Sequence, residues 1–325
     1  MRIFKKRYML AVSLFLLGLV IYASDPVKIL ATLRTIEPAY WLILPLPFLA
    51  TSSLRIYRWK LLLSSTKKVG FFDLLPIQMA GLAISNITPG RVGEPAKALF
   101  LKKSEGIEVS KSLRSMVWER ILDLLFLVLF SVPFIFSFLG MFNPKMVSLG
   151  RDAIVLVTVI ILAFIFGLSN KSAGLRIAGI FERIPHVKKH FNQAFMLSFY
   201  GSNRIDKKTL FICAILTVVI WVFDASAFYI AFNAIGVTQF SLWFFATMLA
   251  FAIICGVVSF LPGGVGSTEG ILILALGLLG VETSIAASGV LIARLFTLWI
   301  AIGVGFVSLA VINKDPAGKP IQGYL

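Results

Sequence analysis

Two cysteines and two histidines are all the thiol and imidazole that 325 residues contain. Cys213 and Cys255 both sit in apolar runs, where a thiol behaves as a small hydrophobe, so no disulfide framework is expected. His186 and His190, four apart in a basic loop, lack the acidic or cysteine partners of a metal site, so neither metal nor cofactor is expected. Acidic side chains are scarce, 15 against 31 lysines and arginines. The chain has no Gly-x-Ser-x-Gly, no His-Glu-x-x-His and no Asp-rich pattern of a metal-dependent lipid transferase. "GGVGSTEG" resembles a phosphate loop but lacks the Gly-Lys-Ser/Thr ending, and it follows an apolar arm that reads as helix rather than strand. These absences speak against an enzyme, and no residue is assigned a catalytic role.

What the chain has in abundance is apolar sequence: 58% hydrophobic residues and a mean hydropathy of +0.93, well above the ~45–50% apolar usage of soluble domains. Runs of ~20 such residues can cross a ~30 Å hydrocarbon core. About six full spans are expected, near 8–23, 39–63, 113–139, 151–169, 207–233 and 285–312. The basic start and apolar run of "MRIFKKRYMLAVSLFLLGLVIYASDP" resemble a secretory signal, but "VIYAS" offers no clean small-x-small site, so the run reads as a retained first span.

The net charge of +16 is explained by where the charges lie, so no nucleic-acid partner is expected. With the N-terminus in the cytoplasm and six alternating spans, 24 lysines and arginines fall on the cytoplasmic side and four outside: Lys28, Arg34, Lys145 and Arg151. That bias obeys the positive-inside rule and places both termini in the cytoplasm. Two further apolar stretches, 71–88 and 240–261, each run into a Pro-Gly motif. If 71–88 crossed fully, the basic residues from Lys97 to Arg114 would lie outside, so both stretches read as re-entrant arms. Non-helical backbone at membrane depth requires protein or a water-filled cavity around it.

The two motifs are related. "ITPGRVGEPAKALFL" and "FLPGGVGSTEGILILAL" share Pro-Gly-x-Val-Gly followed by a glutamate, with Pro89 and Pro262 173 positions apart. Arg120 follows Glu94 by 26 residues, and Arg294 follows Glu269 by 25. The fold class expected is therefore an all-α polytopic membrane protein, with about six full spans and two re-entrant helical hairpins arranged as an inverted repeat. Residues 1–312 form a single transmembrane domain, with repeat units near 39–139 and 207–312. A basic connector, 170–206, is either an amphipathic element on anionic inner-leaflet lipids or a plain cytoplasmic link. Residues 313–325 form a short cytoplasmic tail. Inverted repeats with broken helices are a plan of secondary transporters.

The hairpin tips, Pro89, Gly90 and Gly93 in the first and Pro262, Gly263, Gly264, Gly266, Ser267 and Thr268 in the second, can present backbone N–H groups to an anion such as a lipid phosphate. Arg91 and Lys97 add full charges to the inner tip, where the outer one has Gly264 in the arginine's place. Glu94 and Glu269 either touch substrate or cap the second arms. Charges inside spans usually face a bundle interior or cavity, which marks Glu119, Arg120, Asp224 and Arg294 as substrate-binding candidates. Glu119 and Asp123 form an i, i+4 pair flanking Arg120, which suits a self-contained ion cluster. Arg120 and Arg294 either pair with Glu94, Glu269 or Asp224 to hold the hairpins, or contact an anionic headgroup. Arg55 and Arg58, near the end of the second span, read as snorkelling anchors.

"PGRVGEPAKALFL", "VWERILDLL", "LPGGVGSTEG" and the arginine of the last span together resemble the transmembrane domain of the lysylphosphatidylglycerol synthase and flippase family, over about residues 8–312. The resemblance implies a flippase-like transporter of an anionic or phosphate-bearing lipid, of phospholipid or polyprenyl-phosphate type, in the cytoplasmic membrane. In two-part members a soluble domain attaches an amino acid from charged tRNA. Here only "NKDPAGKPIQGYL" follows residue 312, so a separate lipid-modifying or glycan-pathway enzyme is the expected partner. Two other readings stay open: an intramembrane lipid-modifying enzyme using Glu94 or Glu269, and a non-transporting scaffold.

Overall fold

The computed structural model describes residues 2–91, 93–140 and 205–312, with residues 198–200 and single positions between 148 and 172. Among these residues all regular structure is helical. This follows from the apolar sequence, because a helix satisfies its own backbone where no water can.

Helix α1 (Arg2–Ala23) ends at Asp25, whose left-handed backbone and side-chain cap on Lys28 N start α2 (Pro26–Arg34) at an angle of 78°. Then come α3 (Pro38–Ile43), α4 (Leu46–Leu63) and α5 (Phe71–Ile87). A 3-10 turn, Pro89–Arg91, leads to α6 (Ala96–Glu105) and the long α7 (Val109–Gly140). After the connector, α8 (Lys207–Ala234) and α9 (Leu242–Val258) reach a second 3-10 turn, Pro262–Gly264. The chain closes with α10 (Ser267–Leu278), α11 (Thr283–Arg294), a π-helical turn (Leu295–Trp299) and α12 (Ile300–Ile312).

Among the described residues, four helical stretches are long and apolar enough to cross a membrane: Pro38–Leu63, Val109–Ser137, Lys207–Ala234 and Thr283–Ile312. The bent pair α1–α2 makes a fifth if taken as one span. The expected span at 151–169 lies largely outside the described residues, as do the connector and the tail. Both apolar arms stop at Pro-Gly, and the chain folds back there. In the second hairpin α9 packs on α10. In the first, Lys97 at the start of α6 reaches back to Gln78 of α5.

The chain divides into two compact units. The first holds residues 1–56, 72–97 and 218–325, and therefore both Pro-Gly turns. Gly90 and Gly263 occupy the same left-handed conformation, φ 58° and 60°, and the two turns pack directly on one another. Glycine enters this region at no steric cost. Phe232 of α8 lies against Phe245 of α9 and presses into the space left by Gly289 of α11. The second unit holds residues 57–71 and 98–217. Its core gathers Leu62, Trp118, Ile121, Val128, Phe199 and Cys213.

Candidate functional site

Within the first unit, α4, α5, α8, α9, α11 and the π-helical turn line a partly open polar cavity of about 70 Å³. Its charged lining is Arg55, Asp224 and Arg294. Thr51, Ser52, Asn86 and Thr297 add polar groups, and Phe48, Trp221 and Phe228 form part of an apolar wall.

Arg55 donates through Nη2 to Asp224 Oδ2, and its guanidinium lies 5.5 Å from the centre of the Trp221 ring. Both charged side chains keep slight exposure, 18% and 16%. Arg294 is buried more deeply. Its Nε donates to Glu269, and its Nη2 donates to the Gly263 carbonyl at 3.1 Å, tying the cavity wall to the second Pro-Gly turn. Glu269 uses its other oxygen to accept from Gly266 N at 2.7 Å, which caps α10. The π-helical turn begins directly after Arg294, and π bulges often mark functional sites because they re-aim side chains.

The remaining sequence candidates fall elsewhere. Lys97 is fully buried in the first hairpin, its Nζ 3.0 Å from Gln78 Oε1 and 3.1 Å from Glu94 Oε1. Arg91 is the last residue of the first Pro-Gly turn, and its side chain lies outside the described set. Ser267 bonds to the Gly264 carbonyl and to Ser259, so it pins the second Pro-Gly turn. Thr268 is buried against Gly256 and Gly264. Glu119 and half-buried Arg120 belong to the second unit.

Two expectations are corrected. Arg58 is no snorkelling anchor: it is fully buried and donates to Asp123 at 2.7 and 3.1 Å, Glu119 at 3.2 Å and Thr217 at 2.7 Å. The Glu119–Asp123 pair therefore closes on a cation from α4, since an unpaired guanidinium at that depth would cost far more than the pairing. Arg55 likewise turns inward to Asp224 instead of toward the membrane surface. Sequence reasoning missed Arg55, Asn86 and Trp221 as cavity residues. A usable signal was present, because the span before each Pro-Gly motif carries an intramembrane charge, basic in one and acidic in the other.

Away from the spans, Lys28 pairs with Glu282 at 3.0 Å, joining α2 to the start of α11. The hydrogen bond from Lys28, with a second from Ser284, holds the Glu282 carboxyl below its ordinary range. The same bond raises Lys28. In the second unit a hydrogen bond from Ser198, with help from Lys111, lowers Glu108.

The family described as the lysylphosphatidylglycerol synthase TM region matches residues 8–305. A UPF0104 membrane protein of Methanothermobacter thermautotrophicus is 24% identical over 332 residues, covering 97% of this chain and 98% of its own length. UPF0104 membrane proteins of Pyrococcus horikoshii and Methanocaldococcus jannaschii are 26% and 25% identical, covering 75% and 97% of this chain and 78% and 97% of their own lengths.

Proposed function

The chain belongs to the family of the lysylphosphatidylglycerol synthase TM region, and from that premise we propose that it is a flippase-like transporter of an anionic or phosphate-bearing lipid. One observation carries the reading: two guanidinium groups and a single carboxylate line one internal cavity among apolar helices. Guanidinium matches phosphate in charge and in the geometry of its donors. The headgroup passes through the cavity beside the stacked Pro-Gly turns while the tails stay in lipid.

The membrane is the cytoplasmic one, with both termini inside and the two hairpins entering from opposite faces, as the charge bias supports. A separate lipid-modifying or glycan-pathway enzyme supplies the lipid. The transporter reading fits the glutamates better than the enzyme reading does, because Glu94 is engaged by Lys97 and Glu269 by Arg294 and Gly266.

Reconstitution into liposomes containing fluorescent phosphatidylglycerol, with a membrane-impermeant quencher outside, tests the reading. Arg55→Gln is expected to slow lipid movement at least ~10-fold, the effect of about 1.4 kcal/mol of lost headgroup interaction. Arg294→Gln combined with Glu269→Gln, which leaves neither of that pair charged alone, is expected to do the same. Wild-type rates in both variants would overturn the headgroup role.

A further inference from the structure

We propose that Asp224 carries a proton with the headgroup, an inference that rests on the lipid-transport reading of the same cavity. The cavity of about 70 Å³ has room for a few waters. It is far below the ~300 Å³ at which ligand pockets begin. A headgroup therefore enters only if something inside gives way. Asp224 is the one carboxylate of the lining, and it occupies the face of Arg55 that a phosphate would take.

Among the described residues of the lining, the charged groups that face Asp224 are Arg55 from α4 and Arg294 from α11, with Glu269 of α10 behind Arg294. From α5 the lining contributes uncharged Leu82 and Asn86, and from α9 Leu249 and Ile253. Arg55 keeps its place when Asp224 leaves, because it also rests on the Trp221 ring. The displaced carboxylate then lies beside a phosphodiester anion in a poorly solvated space, where a like charge favours the protonated acid.

The step balances. The phosphodiester anion accepts the Arg55 hydrogen bonds, and Asp224 takes one proton from hydronium or a buffer acid at the loading face, so one O–H bond breaks in the donor as one forms on the carboxyl. Release reverses both, so one monoanionic headgroup and one proton cross together without net charge.

Calorimetric titration of the purified full chain with dihexanoylphosphatidylglycerol tests this, in two buffers of different protonation enthalpy. About one proton should be taken up per headgroup bound, and affinity should rise up to ~10-fold per unit fall in pH across the window where Asp224 changes state. Asp224→Asn, which keeps shape and a hydrogen-bond acceptor for Arg55, should bind without proton uptake or pH slope. Wild-type binding without proton uptake would overturn the coupling and leave the lipid reading intact. No wild-type binding would overturn both. Inorganic phosphate should bind at least ~10-fold more weakly, and equal binding would assign the cavity to free phosphate and overturn the proposal.

Discussion

Gly81 shows how a single missing methyl group places a charge. A Cβ there would lie 2.1 Å from Lys97 Cγ and 2.7 Å from its Cδ, so the lysine stem occupies the glycine's space on α5. The ammonium then meets Gln78 and Glu94 inside the hairpin. Gly81→Ala should destabilise the protein by about 1–3 kcal/mol through overpacking, read as a lower unfolding midpoint in detergent. Adding Lys97→Ala removes the clashing carbons, so the double variant should cost less than the sum of the singles. Additive costs would show that Gly81 and Lys97 do not share that space. Neither this contact nor the Arg58 cluster was legible in the sequence. Gly81 and Lys97 lie on opposite sides of a turn, and Arg58 meets Asp123 and Thr217 at separations of 65 and 159. Local pattern reports that a charge is buried only when the burial is set by its own helix.

The elements were more legible than the contacts, because proline and glycine act locally. Pro89 ends α5 wherever the rest of the chain goes, and the repeat of the Pro-Gly motif foretold the repeat of its turn geometry at Gly90 and Gly263. The π-helical turn after Arg294 had no such marker, since no residue in "LFTLW" demands it. The packing of α2 on α11 was equally hidden, and it carries a pH signature. Glu282 is lowered in the folded chain, so its contribution is present above its unfolded value near ~4.3 and is lost as pH falls through the lower folded value. Lys28 is raised, so its contribution is full below ~10.4 and is lost as pH rises through the higher folded value. Unfolding midpoints should therefore be flat between these limits for this pair. Glu282→Gln should lower the plateau slightly and reduce its acid and alkaline slopes, and unchanged slopes would show that the pair does not contribute.

At the scale of the whole molecule, the proposed direction of each hairpin rests on charge rather than on helix geometry. The family match spans residues 8–305 and thus both Pro-Gly motifs. Lysines and arginines crowd the segments assigned to the cytoplasm, including Lys97 to Arg114 after the first motif, and are absent between Ala234 and Ser284 around the second. In the proposed topology, which keeps basic residues inside, the first hairpin opens to the cytoplasm and the second opens outward. Exposed positions allow a direct test: Lys103 lies in α6 and Gln239 in the link before α9. In a background with Cys213 and Cys255 replaced by alanine, Lys103→Cys should react with a membrane-impermeant maleimide only after the cytoplasmic face is opened. Gln239→Cys should react in intact cells. Reaction of both from one face would overturn the inverted arrangement, and with it the picture of a headgroup handed from an inward-opening hairpin to an outward-opening one.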